Sequence, residues 1–353
     1  MAKKILHVLP DSTYSQYFFK LTKDYAGNFF VLYDYKNNFS DIPCLFKKKP
    51  RSRSERLFKL LDVVNKYDHV FFHSIDNMIS ICFFARRGVT FHWIIWGGDL
   101  YSSILPPFTL RKKIGFFIKK VGLIRFKHVH TALEGDVSIA RKLYNKKLVF
   151  NRFVYPTLDE SIPFDIDLAL KNRGDGRKKI KIQIGNSADP SNNHLEVFRA
   201  IKGHLGSDFE ILCPLSYGDQ DYATNVIRVG KEMWGDSFRP LTDFMSYDNY
   251  VRELSSVDCL ILNHKRQQGL GNLNLALSLG AKVFVRSDTT TYKDYSSMGF
   301  KVYDTKKILR ECLPSDFIFS AKTAVSNRDC VFKNFSTQKS RELWEKIYYE
   351  CMR

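Results

Sequence analysis

Apolar residues fall along the first half of this chain in short continuous runs, at 4–9, 29–33, 69–73, 91–96, 128–133 and 148–153. Between these runs, apolar positions recur at helical spacing over 14–25, 52–67, 77–87, 107–127 and 135–145. Continuous apolar strands separated by helices are what a parallel sheet buried on both faces requires. The pattern therefore predicts a doubly wound α/β domain.

Residues 171–181 interrupt the pattern with a polar, basic stretch carrying two glycines, which reads as a linker. The alternation then resumes. Strands are predicted at 180–184, 209–213, 259–262, 282–286 and 301–303, and helices at 193–205, 219–229, 246–255, 271–280 and 290–297. A last helical pattern at 337–351 puts Leu343, Trp344 and Ile347 on one face. The expected organisation is an α/β protein of two Rossmann-like, doubly wound domains facing a cleft, spanning 1–170 and 171–335, closed by a helix at 336–353. Ligands of such sheets sit at the carboxyl ends of the strands.

Length and composition agree with this picture and add a partner class. The chain has 353 residues, enough for two cores. Its net charge of +18, with 29 Phe and 18 Tyr, points to an anionic partner: nucleic acid, anionic lipid or a phosphorylated substrate. No recognisable nucleic-acid module accompanies that charge, so nucleic acid is not the expected partner. The first residues do not read as a signal peptide, and nowhere do 18 apolar residues run without charge. Seven scattered cysteines suggest reduced, mostly core positions without a disulfide framework.

Two strand-to-helix turns in the second half carry candidate chemistry. The first is Gly185, Asn186 and Ser187, followed by Asp189, Asn192, Asn193 and His194; the second is Arg266, Gln267, Gln268, Gly269, Leu270, Gly271 and Asn272. Glycine admits close backbone approach, and free N–H groups at a helix start attract phosphate. An ordinary capped turn would use the same residues. Together, with Tyr217 nearby in the sequence of the following unit, they look like a cradle for a diphosphate. Asp219, Gln220 and Asp221 superficially resemble a metal-binding Asp-x-Asp motif but read as a capped helix start, and no obligatory metal or other cofactor is expected.

In the first half, Asp99 follows an apolar strand and two glycines, Gly97 and Gly98, which suits a general base as well as it suits a helix cap. His73, at the end of another strand, is the second catalytic candidate. The stretch 100–133 holds seven Lys or Arg and no acid. As one helix it places Leu110, Ile114, Phe117, Val121 and Ile124 on a stripe expected to pack on the sheet. Phe116, Leu123 and Phe126 would then be exposed among Lys112, Lys119, Lys120 and Lys127. Such a face fits an anionic bilayer surface. Residues 46–59 add seven more cations against one Glu.

Phe71-Phe72-His73, Trp93 through Tyr101, Ile184 through His194 and Arg266 through Gly271 occur in an order and at separations that resemble a known family. The chain is similar to the 4-acetamido-4,6-dideoxygalactose (Fuc4NAc) transferases of enterobacterial common antigen synthesis, glycosyltransferase family 56. The resemblance runs from Ile5 to the final helix, with departures at Gly98 and at Asn272-Leu273-Asn274. It implies the two-domain GT-B fold, the first domain binding acceptor and the second a dTDP-linked 4-amino-4,6-dideoxy sugar. It further implies an undecaprenyl-diphosphate-linked acceptor glycan and a peripheral location on the cytoplasmic face of the bacterial inner membrane. An O-antigen or other polysaccharide enzyme using a related deoxyamino sugar fits equally. Leu275-Ala276-Leu277 stands where many retaining GT-B enzymes carry a Glu, which favours an inverting path. The rival classes are a non-catalytic nucleotide- or sugar-binding module and a basic nucleic-acid-binding protein.

Overall fold

In a computed structural model, the structure describes residues 3–33, 41–46, 48–75, 78–102, 104, 109–156, 179–205, 208–318 and 320–353. The chain divides into two compact units, Met1–Thr157 with Thr337–Arg353, and Leu158–Ser336. Most of the stretch read as a linker, 171–178, lies outside the described residues.

The first unit holds six parallel strands: β1 (Ile5–Leu9), β2 (Asn28–Leu32), β3 (His69–His73), β4 (Thr90–Ile94), β5 (Phe126–Thr131) and β6 (Val149–Arg152). They lie in the order β2-β1-β3-β4-β5-β6. Among them run α1 (Thr13–Thr22), α2 (Arg53–Val64), α3 (Ile81–Phe84), α4 (Gly98–Tyr101), α5 (Leu110–Gly122) and α6 (Glu134–Leu143). Alternate side chains point to opposite faces of a strand. One face sends Leu6, Val8, Val70, Phe72, Trp93 and Val129 into a core with Leu60, Val64 and Ala140. The other sends Ile5, Leu9, Phe71 and Ile94 toward Phe18, Trp344 and Ile347.

Trp344 and Ile347 belong to α14 (Thr337–Met352), so the chain's last helix completes the core of its first unit. The Trp344 indole meets His7, Phe18 and Phe71 at ring separations of 5.0, 5.3 and 5.4 Å. Ser340 donates to the Val154 carbonyl at 2.7 Å and Tyr348 to the Ala26 carbonyl at 2.7 Å, which fixes the helix in register.

The second unit repeats the architecture with β7 (Ile180–Ile184), β8 (Phe209–Pro214), β9 (Phe238–Leu241), β10 (Cys259–Leu262), β11 (Lys282–Val285) and β12 (Tyr303–Asp304). These strands are parallel, in the order β12-β11-β10-β7-β8-β9. The helices are α7 (His194–Ile201), α8 (Gln220–Trp234), α9 (Tyr247–Ser255), α10 (Leu270–Ser278), α11 (Thr290–Ser297), α12 (Thr305–Arg310) and α13 (Ala321–Phe335). The core gathers Ile182, Ile184, Val197, Phe198, Ile211, Val226, Ile261 and Phe284. The pattern did not predict β9, α12 or α13. Strand β9 is four residues long and contains Pro240, and α13 has an interrupted apolar stripe with Asn327 and Asn334 buried.

One expectation is reversed. Helix α5 ends at Gly122, a single 3-10 turn follows at Leu123–Arg125, and Phe126 opens β5. Leu123 and Phe126 are buried, Phe116 is packed against the core with its ring 5.4 Å from Tyr144, and Lys119 is buried. Leu110, Ile114, Phe117, Val121 and Ile124, expected on the sheet, are exposed instead. Two contacts set that orientation. Gly122 lies so close to Ile79 that a Cβ there would stand 2.4 Å from its side chain, and the Lys119 ammonium donates to the Asp99 carbonyl.

The sheet face beneath α14 is rich in histidine. His69 Nδ1 lies 3.0 Å from His92 Nε2, and His92 Nδ1 lies 3.0 Å from His130 Nε2. His69, His92 and Cys351 form a group whose possible ligand atoms lie within 4.8 Å of one another. Burial, together with the charges of Lys3 and neighbouring His128, pulls His69 down to about 4, so its ring is neutral. Burial likewise lowers His7 to about 3 and holds His73, His92 and His130 well below their usual value.

These rings are neutral when folded and take up protons near pH 6.5 when unfolded. The unfolded chain thus binds more protons below that pH, so stability is full above it and declines as pH falls. Each fully buried ring contributes up to about 1.4 kcal/mol per pH unit. Denaturant unfolding across pH 7.5–4.5 should show the midpoint falling steeply below about pH 6. A midpoint that stays flat to pH 4.5 would contradict the neutral assignment.

Candidate functional site

Strand order locates the crevice of the second unit. From the β10–β7 pair the chain winds outward in both directions, so the carboxyl ends of these strands form the topological switch point where doubly wound sheets bind ligands. Both Gly/Asn turns emerge there, one after β7 and the other after β10.

Gly185 has φ +74°, and a Cβ at this position would stand 2.3 Å from His194 Nε2 and 2.8 Å from Asn192 Oδ1. Only glycine meets both conditions. Asn192 is fully buried, and its carboxamide joins the two turns. Its oxygen accepts from the Asn186 N–H at 2.9 Å and from His264 Nε2 at 2.8 Å. Its nitrogen donates to Ser187 Oγ at 3.2 Å and to the Asp189 carbonyl at 2.9 Å. Because the carboxamide oxygen only accepts, His264 carries its proton on Nε2. Burial, with Arg266 nearby, lowers His264 to about 3, so it is a neutral donor.

The Ser191 hydroxyl lies 2.5 Å from Asp189 Oδ1 and 2.7 Å from the Gln268 side-chain oxygen, a second link between the turns. Gly269, at φ +68°, sits where a Cβ would come within 3.3 Å of the Asn186 carboxamide. Asn186 is only 8% exposed; its Nδ2 donates to the Tyr217 hydroxyl at 3.3 Å while its Oδ1 is buried without a partner among the described residues. Tyr217 itself is exposed, and its carbonyl accepts from the Ala188 N–H at 2.8 Å. Arg266, Gln267, Gln268, Gly271 and Asn272 are half-buried around the start of α10, with Arg266 donating to the Gln267 carbonyl at 3.0 Å. Asn193, in a left-handed conformation at φ 50°, precedes α7 and donates to the Asn263 carbonyl at 3.1 Å.

Sequence reasoning missed a layer beneath these turns. Arg286, at the end of β11, donates to Asn263 Oδ1 at 3.2 Å and forms paired 3.1 Å bonds with Asp288. Asn263 in turn donates to Glu196 at 2.8 Å. The Arg286 hydrogen bond pulls the Asp288 carboxyl below its usual range. The one available signal was an arginine closing a predicted strand directly after Val283, Phe284 and Val285.

In the first unit the order β2-β1-β3 puts the switch point between β1 and β3, where His73 ends its strand. His73 is fully buried; its Nδ1 is 2.5 Å from the Tyr155 hydroxyl, which accepts from Trp96 Nε1 at 2.6 Å. Tyr155 therefore donates to Nδ1, and His73 Nε2–H donates to His7 Nδ1 at 3.1 Å. Asp99 is 1% exposed, and its carboxylate accepts from Trp93 Nε1 at 2.6 Å and the N–H groups of Trp96, Leu100 and Ile75 at 3.0, 3.1 and 3.3 Å. Both catalytic candidates lie at strand ends, as expected, and both are enclosed and hydrogen-bonded. Asp99 pins the turn between β4 and α4, whose Gly97 has φ +85°.

The family described as 4-alpha-L-fucosyltransferase, glycosyl transferase group 56, matches residues 53–349. The chain belongs to that family. It is a transferase of the GT-B fold class, in accord with its two parallel-sheet units. A sucrose-phosphate synthase from Thermosynechococcus elongatus superposes with a TM-score of 0.74 at 11% identity, covering 99% of this chain and 98% of the other. A glycosyltransferase from Rickettsia africae gives 0.66 at 12% identity over 100% and 99% of the two chains. HepE of Anabaena, solved with UDP and glucose, gives 0.68 at 11% identity over 98% and 99%. At these identities the structural likeness speaks for the fold alone.

For a group 56 glycosyltransferase, the chemical capacity of the second unit's edge is clear. It offers helix-start N–H groups, amide side chains and an arginine, all suited to binding anionic oxygen. Gly185→Ala should remove that capacity, because left-handed strain and the collision with His194 both act on the turn. The expected loss is about 1–3 kcal/mol of stability, and any nucleotide binding that calorimetry detects in the wild type, tried with dTDP and UDP, should be abolished in protein that still folds. Unchanged calorimetric binding of both nucleotides would show that this turn does not touch the nucleotide.

Proposed function

We propose that this glycosyltransferase moves a 4-amino-4,6-dideoxy sugar of the Fuc4NAc kind from a dTDP-linked donor to a polyprenyl-diphosphate-linked glycan in bacterial surface-polysaccharide synthesis. The observation that carries the donor half is the joining of two Gly/Asn turns through Asn192 at the switch point, with Arg266 on the second turn and an Asn186 oxygen that has no partner among the described residues. In this reading the N–H groups opening α10, with Arg266, hold the diphosphate and stabilise it as it leaves, while the N–H groups of His194 and Glu196 at the start of α7 are already donated to the Tyr222 hydroxyl and the Asn193 carbonyl. Asn186 and Tyr217 contact the nucleoside or the sugar. The deoxyamino sugar and the lipid-linked acceptor rest on the family resemblance. A nucleotide-sugar donor follows from membership of a glycosyltransferase family, and HepE, which shares the fold, is an example solved with UDP and glucose. Positive potential comes from Arg266 and the helix starts, so an obligatory metal is not part of the proposal.

Asp99 acts as a positioning residue in this scheme, since its lone-pair sites are filled by four donors and at least one of them would have to be displaced for it to take a proton. His73 is likewise committed to Tyr155 and His7.

Mass spectrometry of products from a panel of dTDP-deoxyamino sugars, UDP-glucose and polyprenyl-diphosphate acceptors tests the substrates. A dTDP-deoxyamino sugar should transfer, with or without EDTA; transfer from UDP-glucose alone would overturn the donor assignment. Arg266→Ala should weaken dTDP binding by about 1.5–3 kcal/mol, the value of a charge-assisted bond.

Asp99→Asn should destabilise the protein by about 1–3 kcal/mol, because the amide turns a donor toward N–H groups, and should lower kcat. Residual activity should keep the wild-type pH profile. Disappearance of the acidic limb of kcat/KM would restore Asp99 as the base.

A further inference from the structure

Among the described residues, the exposed face of α5 has no partner that would account for it. Leu110 is 74%, Phe117 66% and Ile124 67% exposed, and Ile114, Ile118 and Val121 are also exposed. At helical spacing these six residues form one continuous stripe. The opposite face is spoken for by Gly122 against Ile79, by Phe116 against Tyr144 and by Lys119 on the Asp99 carbonyl. The helix therefore cannot roll to hide its stripe. The adjoining α3 exposes Phe83 and Phe84 and is tied to the end of α5 by Arg125, which donates to the Cys82 carbonyl at 3.0 Å.

Cations flank the stripe: Arg111 on one side, Lys113 and Lys120 on the other, with Lys127 beyond, and all four are exposed. No Asp or Glu occurs between residues 100 and 133. We propose that α5 lies in the interface of an anionic lipid monolayer, with Phe117 and Ile124 among the acyl chains and the flanking cations at the headgroups. The charge pattern selects this occupant. Interface cores between proteins are depleted of lysine, and pairing with a second copy would bring Lys113 and Lys120 against their own kind on a molecule of net charge +18. A monotopic helix needs the opposite arrangement, an apolar stripe edged with Lys and Arg. Among the described residues no helix is long and apolar enough to cross a membrane, so the mode is insertion in the plane.

The inference does not depend on the acceptor being lipid-linked, because it is read by binding and not by turnover. Co-sedimentation with vesicles of phosphatidylcholine, alone and with 30–40% phosphatidylglycerol, gives the test. The full chain should bind the anionic vesicles and lose binding as salt rises. Phe117→Ser/Ile124→Ser should lower the partition coefficient by at least about tenfold at any salt. Lys113→Glu/Lys120→Glu should lower it by about fivefold per cation at low salt and little at high salt. In each variant, retained nucleotide binding and circular dichroism establish that the fold persists. Quenching of Phe117→Trp by acyl-brominated lipid should exceed that of Phe244→Trp, an exposed control in the second unit. Three results would overturn the proposal: equal binding by wild type and the Ser variant, no binding by wild type, or a concentration-dependent dimer that the Ser substitutions dissociate.

Discussion

A single carboxamide holds together the two turns at the switch point of the second unit. Asn192 accepts from the backbone after β7 and from the histidine after β10, and its nitrogen secures the loop that leads into α7. Every hydrogen-bonding site on that buried side chain is used, so the two turns share one geometry rather than varying independently. Gly185 exists in its left-handed form because the Asn192 and His194 side chains fill the place of a Cβ. Beneath lies the Arg286–Asn263–Glu196 layer, which fixes the carbonyl that receives Asn193. Preorganisation of this kind lets N–H groups face an anion without reorganising when it arrives.

The turns themselves were legible because glycine and asparagine after an apolar strand have few other uses. What joins them was not. His264 follows β10 in Asn263-His264-Lys265, a local sequence with no periodicity or spacing that marks it as a donor to a residue 72 positions away. Arg286 was visible only as the polar end of a strand. In the first unit, Asp99 was correctly placed after a strand and before a helical turn, yet its chemistry depends on Trp93 folding its indole back onto the carboxylate at 2.6 Å. A strand-end acid that caps and one that accepts a proton look alike in sequence; the donors that surround its carboxylate are visible only in the fold.

The first unit illustrates a different economy. Its histidines are packed as neutral polar aromatics, stacking at 4.0 Å on Phe71 and at 4.6 Å on one another and linked in short chains of ring nitrogens, with His7 Nε2, His128 Nδ1 and His130 Nδ1 buried without a hydrogen bond among the described residues. This arrangement requires a lid, which α14 supplies from the far end of the chain with Trp344 and Tyr348. The alternating strand pattern predicted two covered faces and the last helix was recognised as a helix. That it completes the core of the first unit was not readable, since nothing in an amphipathic stripe names the surface it meets.

Helix α5 shows the same limit in its sharpest form, and shows what resolves it. Periodicity correctly grouped Leu110, Ile114, Phe117, Val121 and Ile124 on one face, but it is silent about direction. The usual assumption, that the more apolar face turns inward, fails here by nearly half a turn. The deciding residues are the ones a hydrophobicity argument discounts: a glycine, which lets α5 approach Ile79 closely, and a lysine, whose buried ammonium finds the Asp99 carbonyl. Burying Lys119 costs desolvation that its hydrogen bond and the Tyr144 ring, 6.0 Å from its nitrogen, partly offset. Leaving six large apolar side chains in water costs more still, by roughly 1.5–3 kcal/mol for each one that could be buried. An arrangement that bears both costs gains by them only when the stripe meets an apolar medium. The same Asp99 that fixes the β4–α4 turn through its carboxylate thereby orients, through its carbonyl, the face that the protein turns outward.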